Sequence, residues 1–124
     1  MFVEYNPNPT GKRVGDCVVR AICKATGITW DDVYLSLFVE GFEKKDMPSS
    51  NDVWGSYLRS LGFDREPIPN TCPDCYRVRD FCLDHPEGAY ILVCQSHVVA
   101  SVDGDYFDTW NSGDEPIYFY WVKE

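Results

Sequence analysis

Positive charge is scarce in this sequence. Its 124 residues carry 11 Lys and Arg against 20 Asp and Glu, a formal net charge of −9. That balance excludes a surface built to neutralise phosphates and argues against a nucleic-acid partner. Long hydrophobic runs are lacking too: the apolar stretches are short and broken, so neither a membrane span nor a membrane partner is expected. Met1-Phe2-Val3-Glu4-Tyr5 shows no basic stretch followed by an apolar one. No secretory leader is read there, and the expected location is the cytoplasm, where thiols stay reduced. Histidine is rare, two residues against six cysteines. The cysteines are therefore expected to serve packing, metal binding or catalysis before disulfides. Repeats, low-complexity tracts and long linkers are missing, and the length suits one domain over residues 1–124. What is present is apolar and aromatic bulk, 44% and 15% of the chain, enough to bury a core and exclude a disordered chain.

The chain divides into a helical first half and a strand-rich end. After a turn-rich opening (Asn6-Pro7-Asn8-Pro9-Thr10-Gly11), Val18, Ala21, Ile22 and Ala25 recur at i, i+3, i+4, i+7, a helix stripe that Gly27 closes. Thr29, with Asp32 three residues on, starts a second helix whose expected apolar face is Val33, Tyr34, Leu37 and Phe38. A third begins near Asn51, with Trp54, Tyr57, Leu58 and Leu61 on one face. A fourth is expected from Pro73 to Asp84, ending before Pro86. Ala89 to Cys94 then forms a continuous apolar run of strand length. His97 to Val102 and Asp105 to Trp110 flank Asp103-Gly104, a strong hairpin signal, and Ile117 to Val122 is aromatic and β-branched. Helices packed on a C-terminal antiparallel sheet make the expected class α+β.

Chemistry is first suggested by Gly15-Asp16-Cys17, where the first helix begins. A thiol at a helix N-terminus feels the positive end of the dipole and unpaired N–H groups, both of which favour the nucleophilic thiolate. The hairpin adds a base. With Asp103-Gly104 as a two-residue loop, Val102 faces Asp105, Val99 faces Asp108 and His97 faces Trp110. His97, Val99, Asp108 and Trp110 then share one side of the sheet, with His97 and Asp108 diagonal neighbours about 7–8 Å apart at the backbone. An Asp there fixes the imidazole's tautomer and stabilises its charged form, and Trp110 shields the pair from water. A one-residue slip would put Asp108 on the opposite face. Gln95, two residues before His97, falls on the same side of a straight strand and is a site-lining candidate.

A Cys opening a helix after Gly-Asp, then Ser96-His97-Val98-Val99, then Asp108-Thr109-Trp110, resembles the papain-like cysteine peptidase clan. The stretches Gly15 to Ala21 and His85-Pro86-Glu87-Gly88 to Trp110 are most similar to small uncharacterised papain-like proteins of bacteria and their phages. The bacteriocin-leader peptidases resemble the chain more distantly. The resemblance implies a papain-like fold with Cys17 as nucleophile, His97 as general base and acid, and Asp108 as the residue that orients His97. It also implies a peptide or protein substrate cleaved at an amide or isopeptide bond, with no metal or organic cofactor. The sequence departs from the clan at one point: no Gln precedes Cys17 to supply an oxyanion donor. The nearest side-chain amides are Asn6 and Asn8. The Cys17 N–H supplies one donor, and Asn8 is the candidate for the second. Without a second donor, the domain would bind a peptide and not cleave it.

A competing cluster, Cys72, Cys75, Cys82 and His85, has the spacing C-x2-C-x6-C-x2-H of a tetrahedral zinc site, which would make the chain a small zinc-stabilised interaction domain. Metal bonds of about 2.0–2.3 Å require ligand atoms within about 4 Å of one another. On one helix, Cys75 and Cys82 would lie roughly 10.5 Å apart along the axis, so the expected helix and the zinc site exclude each other. Cys75, Val78 and Cys82 read instead as a core stripe, and Cys23 and Cys94 as packing residues. Asp16 reads as a helix cap, Asp105 as a hairpin flank and Lys44-Lys45 as a solvated turn.

Overall fold

The computed structural model describes residues 1–69 and 73–123. Its elements run β1 (Phe2–Glu4), α1 (Cys17–Thr26), α2 (Trp30–Lys44), α3 (Asn51–Ser60), β2 (Phe63–Pro67), α4 (Val78–Asp84), β3 (Ala89–Val93), β4 (Val98–Val102), β5 (Asp105–Asp108) and β6 (Phe119–Lys123). The strands form one six-stranded sheet in the order β1-β5-β4-β3-β6-β2. The class is α+β. The sheet is not wholly antiparallel, however, nor confined to the C-terminal half. β1 pairs in parallel with β5, and β2 pairs antiparallel with β6. Both are short edge strands with little alternation, so no period-2 signal announces them; pairing with a neighbour, not intrinsic pattern, makes them strands.

The hairpin register holds as far as Ala100. The ladder stops there, so the expected pairs Val99–Asp108 and His97–Trp110 are not part of it. Val99 packs toward α4, while Asp108 bonds Arg20 of α1. Val102 faces Asp105, Ser101 faces Tyr106 and Ala100 faces Phe107. Asp103 (φ 51°) and Gly104 (φ 84°) both adopt left-handed backbone, the requirement of the tight turn that matches strand twist. Ile91, Val93, Val98 and Ala100 point into a core shared with Ala21, Leu37, Trp54 and Leu58 of the three N-terminal helices. Leu92, Cys94 and Val99 point the other way, onto Val78, Phe81 and Cys82 of α4. Because both faces are covered, the central strands read as continuous apolar runs.

Two helices differ from the sequence expectation. α4 begins at Val78, so Cys75 stands before it and the distance along a common helix no longer separates Cys75 from Cys82. α2 begins where Thr29 accepts a hydrogen bond from the Asp32 N–H. Its buried face is the narrow strip Val33, Leu37 and Gly41, while Tyr34 and Phe38 are 50% and 55% exposed. α2 packs chiefly on α1 and α3 and not on the sheet, so it has only a strip to bury. Among the described residues, no helix is long and apolar enough to cross a membrane.

Leu37, which is fully enclosed, and Phe38, which is mostly exposed, give opposite expectations. Leu37→Ala is expected to cost about 2–5 kcal/mol of unfolding free energy. Phe38→Ser is expected to stay within about 0.5 kcal/mol. Urea denaturation of the two variants measures both.

Candidate active site

Cys17 is the first residue of α1. Its N–H therefore has no partner within the helix, and no acidic residue occupies the first turn to compete for the positive end of the dipole. Asp16 holds the N-cap position without capping: its side chain makes no hydrogen bond to the helix backbone. It turns instead to Arg20, whose Nη1 donates to Asp16 Oδ1 at 2.6 Å, and to Trp30, whose indole N–H donates to Oδ2 at 2.9 Å. The expectation of Asp16 as an ordinary cap is thus corrected. A buried guanidinium one turn along outcompetes the backbone for its carboxylate.

Arg20 is 4% exposed and reaches from α1 to the end of β5, where Nη2 donates to Asp108 Oδ1 at 2.8 Å. Asp108 is fully buried. Its Oδ1 also accepts from the Thr109 N–H at 2.8 Å. Its Oδ2 accepts from Ser112 Oγ at 2.6 Å and from His97 Nε2 at 2.5 Å. Four donors fill the acceptor positions of one carboxylate, so its orientation is fixed. Backbone contacts hold it further: the Tyr5 N–H, just after β1, donates to the Asp108 carbonyl at 2.8 Å. Gly113 lets the following loop fold closely, because a Cβ there would sit 2.3 Å from Tyr106 Oη.

His97 stands immediately before β4, at the end of a tight turn in which its carbonyl accepts from the Cys94 N–H at 2.8 Å. With Nε2 on Asp108, Nδ1 is the ring nitrogen left for the Cys17 thiol, and each of the two groups shifts the titration of the other. The Trp110 ring lies 4.8 Å from the imidazole, centroid to centroid. Cys17, His97, Asp108 and Trp110 are thus brought together from a helix start, a strand start and the end of the next strand.

Electrostatics follows from this packing. Burial pushes the Cys17 thiol up, but hydrogen bonds from His97 and from the Val98 N–H, with the charges of His97 and Arg20, outweigh it and leave it below the ordinary thiol value. Burial disfavours the His97 imidazolium, but hydrogen bonds and charges from Asp108 and Cys17 push His97 up to about 9. Asp108 is lowered: burial raises it, and its bonds to His97 and Ser112 more than compensate. A lowered thiol beside a raised imidazole favours the thiolate–imidazolium pair. The other buried thiols move the opposite way. Burial and the charge of Asp16 push Cys23 up to about 11. Burial and the charges of Glu115, Asp108 and Cys17 push Cys94 up to about 12.

The remaining sequence candidates are placed less closely. Asn8 Oδ1 accepts from both the N–H and the hydroxyl of Thr10 at 2.9 Å. Its amide nitrogen has no protein partner among the described residues, and the residue borders the same groove as Gly15 and Asp16. Asn6 is occupied elsewhere, donating to the Gly11 and Lys12 carbonyls. Gln95 is exposed on the turn before His97 and is not engaged by the pair. Of the zinc alternative, Cys72 lies outside the described residues. Cys82 is buried 3.3 Å from Ser101 Oγ, and His85 stacks on Phe81 with its Nδ1 2.9 Å from the Phe81 carbonyl. Among the described residues, no three His, Cys, Asp or Glu side chains gather to hold a metal ion.

Arg20, Ser112 and Trp30 were not singled out in the sequence. For Arg20 a signal existed: it is the one charged residue in the apolar run from Val18 to Cys23, four residues after Asp16. A scan against protein-family models, a search of curated proteins and a search of solved structures each find no match.

Arg20→Met would leave two carboxylates buried without their cation, and such a broken buried pair costs roughly 3–5 kcal/mol. Arg20→Lys keeps the charge but has no fork to reach both carboxylates, so its loss is expected to be smaller. Urea denaturation at neutral pH ranks wild type, Arg20→Lys and Arg20→Met in that order of decreasing stability.

Proposed function

We propose that the chain is a small papain-like thiol hydrolase that cleaves an amide or isopeptide bond in a peptide or protein. The observation that carries this reading is the pair in which His97 Nε2 lies 2.5 Å from Asp108 Oδ2, with His97 in turn lowering the Cys17 thiol. In the proposed reaction the Cys17 thiolate attacks the substrate carbonyl carbon, and the carbonyl electrons move onto oxygen. The free Cys17 N–H faces that oxyanion at the helix start, and the Asn8 amide is assigned as its second donor. His97 Nδ1 gives its proton to the departing amine as the C–N bond breaks, leaving a thioester. Water then attacks the thioester and gives His97 a proton. The C–S bond breaks, and the thiolate–imidazolium pair is restored. Asp108 stays ionised throughout, holding the ring and its charge. Acyl transfer of this kind draws on no metal or organic cofactor.

Iodoacetamide is expected to alkylate Cys17 far faster than the buried Cys23, Cys82 and Cys94, as read by peptide mass spectrometry. In His97→Ala the thiol loses both a hydrogen bond and a favourable charge, so labelling at pH 7 is expected to slow roughly tenfold for each unit its pKa rises. Equal labelling of Cys17 and the buried thiols would sink the reading.

The pH dependence has a definite sign. Alkylation of Cys17 is expected to rise with pH about a midpoint below the ordinary thiol value of 9.0. Hydrolysis of an amide substrate is expected to fall above about 9, where His97 loses the proton that the leaving amine needs. A pH–rate profile that keeps rising past that point would contradict the assignment of His97 as the acid.

A further inference from the structure

α2 is apolar on two faces, and only one of them is covered. Val33, Leu37 and Gly41 pack inward, while Tyr34, Leu35, Phe38, Val39 and Phe42 are 50–65% exposed. At about 100° per residue, the five exposed side chains fill an arc of about 140° beside the buried strip. The two faces together make α2 apolar over about two-thirds of its circumference, the pattern of a helix covered from more than one side. Met47, on the turn that folds back over Gly41, is 68% exposed as well. Among the described residues, six of the eleven large apolar side chains left exposed thus fall within Tyr34 to Met47. Single exposed apolar residues need no explanation, but a contiguous patch marks an interaction surface.

The charges at the two ends of this face select its occupant. Asp31 is exposed on the same arc at the N-terminal end, with Asp32 beside it. At the other end Lys44 and Lys45 are exposed, and the Lys45 ammonium lies over the Phe42 ring, 3.9 Å from its centroid. The face runs from acid to base and so complements a copy of itself turned end for end. A two-fold axis near Phe38 sets Asp31 against the partner's Lys45, Tyr34 against the partner's Phe42, and Phe38 against its own copy. A parallel pairing would set acid on acid and base on base, with the helix dipoles side by side in one sense.

The area is sufficient. With about 150–250 Å² on a large aromatic side chain, and somewhat less on Leu and Val, the five exposed residues leave roughly 400–600 Å² of apolar surface per copy. Apolar atoms make up about 56–65% of an interface, so covering that surface on two copies buries roughly 1,300–2,000 Å² in all. Ordinary specific interfaces bury about 1,200–2,000 Å².

We infer that the chain pairs with a second copy of itself, in a two-fold dimer whose α2 helices lie antiparallel across Phe38. None of Cys17, His97 and Asp108 lies on α2, so the dimer stands or falls apart from the thiol hydrolase reading. The net charge of −9 opposes association of two copies, and pairing is expected at roughly micromolar concentrations and above.

Sedimentation equilibrium of the full chain, from about 1 µM to 1 mM, is expected to show the mass rising to that of two copies. Phe38→Ser and, separately, Phe42→Ser are each expected to raise the dissociation constant roughly tenfold or more, because each removes an aromatic anchor from both copies. Both side chains are more than half exposed, so the stability of the single chain, measured at dilutions where the copies part, is expected to stay unchanged. Asp31→Lys alone and Lys45→Glu alone are each expected to weaken self-pairing several-fold. An equal mixture of those two variants is expected to form a mixed dimer tighter than either makes with itself. The mass of one copy at every concentration overturns the dimer. If the chain then floats with phosphatidylcholine vesicles and Phe42→Ser releases it, the face belongs to a lipid surface. A dimer unmoved by both phenylalanine substitutions lies on another face and also overturns the inference. A mixture that pairs no more tightly than its parts overturns the antiparallel arrangement.

Discussion

Arg20 sits between two buried carboxylates, 2.6 Å from Asp16 and 2.8 Å from Asp108, and most of the site depends on that arrangement. Three charges removed from water are costly, and they are tolerated only because each is paired and hydrogen-bonded. The planar guanidinium suits the task, since its fork can satisfy two acceptors at once. One cation against two carboxylates leaves the cluster short of positive charge, and the His97 imidazolium on Asp108 supplies what is missing. The same contacts are structural ties. Asp16 and Arg20 belong to the start of α1, Asp108 ends β5, and Trp30 begins α2. A single buried network thus joins the helical layer to the end of the sheet where the thiol and imidazole meet.

The lowering of the Cys17 thiol follows from that junction more than from the thiol's own position. Burial alone would make Cys17 as inert as Cys94, which burial and neighbouring negative charges push up to about 12. What separates them is the sign of the surroundings. Cys17 has a helix N-terminus, His97, Arg20 and the Val98 N–H, whereas Cys94 faces Glu115, Asp108 and Cys17. Charge on Asp108 raises His97, and charge on His97 lowers Cys17. The proposed catalytic pair is thus a consequence of a carboxylate that cannot turn away, because Arg20, Thr109 and Ser112 hold it from three directions.

The groove between α1 and α2 shares this framework. Trp30 walls the groove and at the same time donates to Asp16. Its position is fixed by that hydrogen bond together with its stacking on Tyr34. Tyr34, which the helical pattern assigns to the core, instead stands at the groove mouth.

Much of the site was legible because it depends on local rules. The Asp103-Gly104 turn demands left-handed backbone and so fixes the pairing of β4 with β5; His97 and Asp108 lie at the open end of that hairpin, beyond its last pair. Cys17 after Gly15-Asp16 marks a helix start and the charge preference that goes with it. The spacing of Val33 and Leu37, or of Trp54 and Leu58, likewise marks core faces that the fold buries. Other features depended on partners distant in the chain. β1 and β2 are strands because β5 and β6 lie beside them, and α2 buries a narrow strip because no sheet lies beneath it. The Asp16 carboxylate turns from the helix backbone to Arg20 and Trp30 because both are brought within its reach. The sequence by itself determined the helices and the C-terminal strands, and where along them the thiol, the imidazole and the carboxylate fall, since backbone geometry and periodicity act over a few residues. Only the tertiary structure decided that Arg20 would be buried between two acids and that a groove would open between α1 and α2. Coulomb pairing and the shape of a cavity depend on distances in space, and no sequence spacing records those.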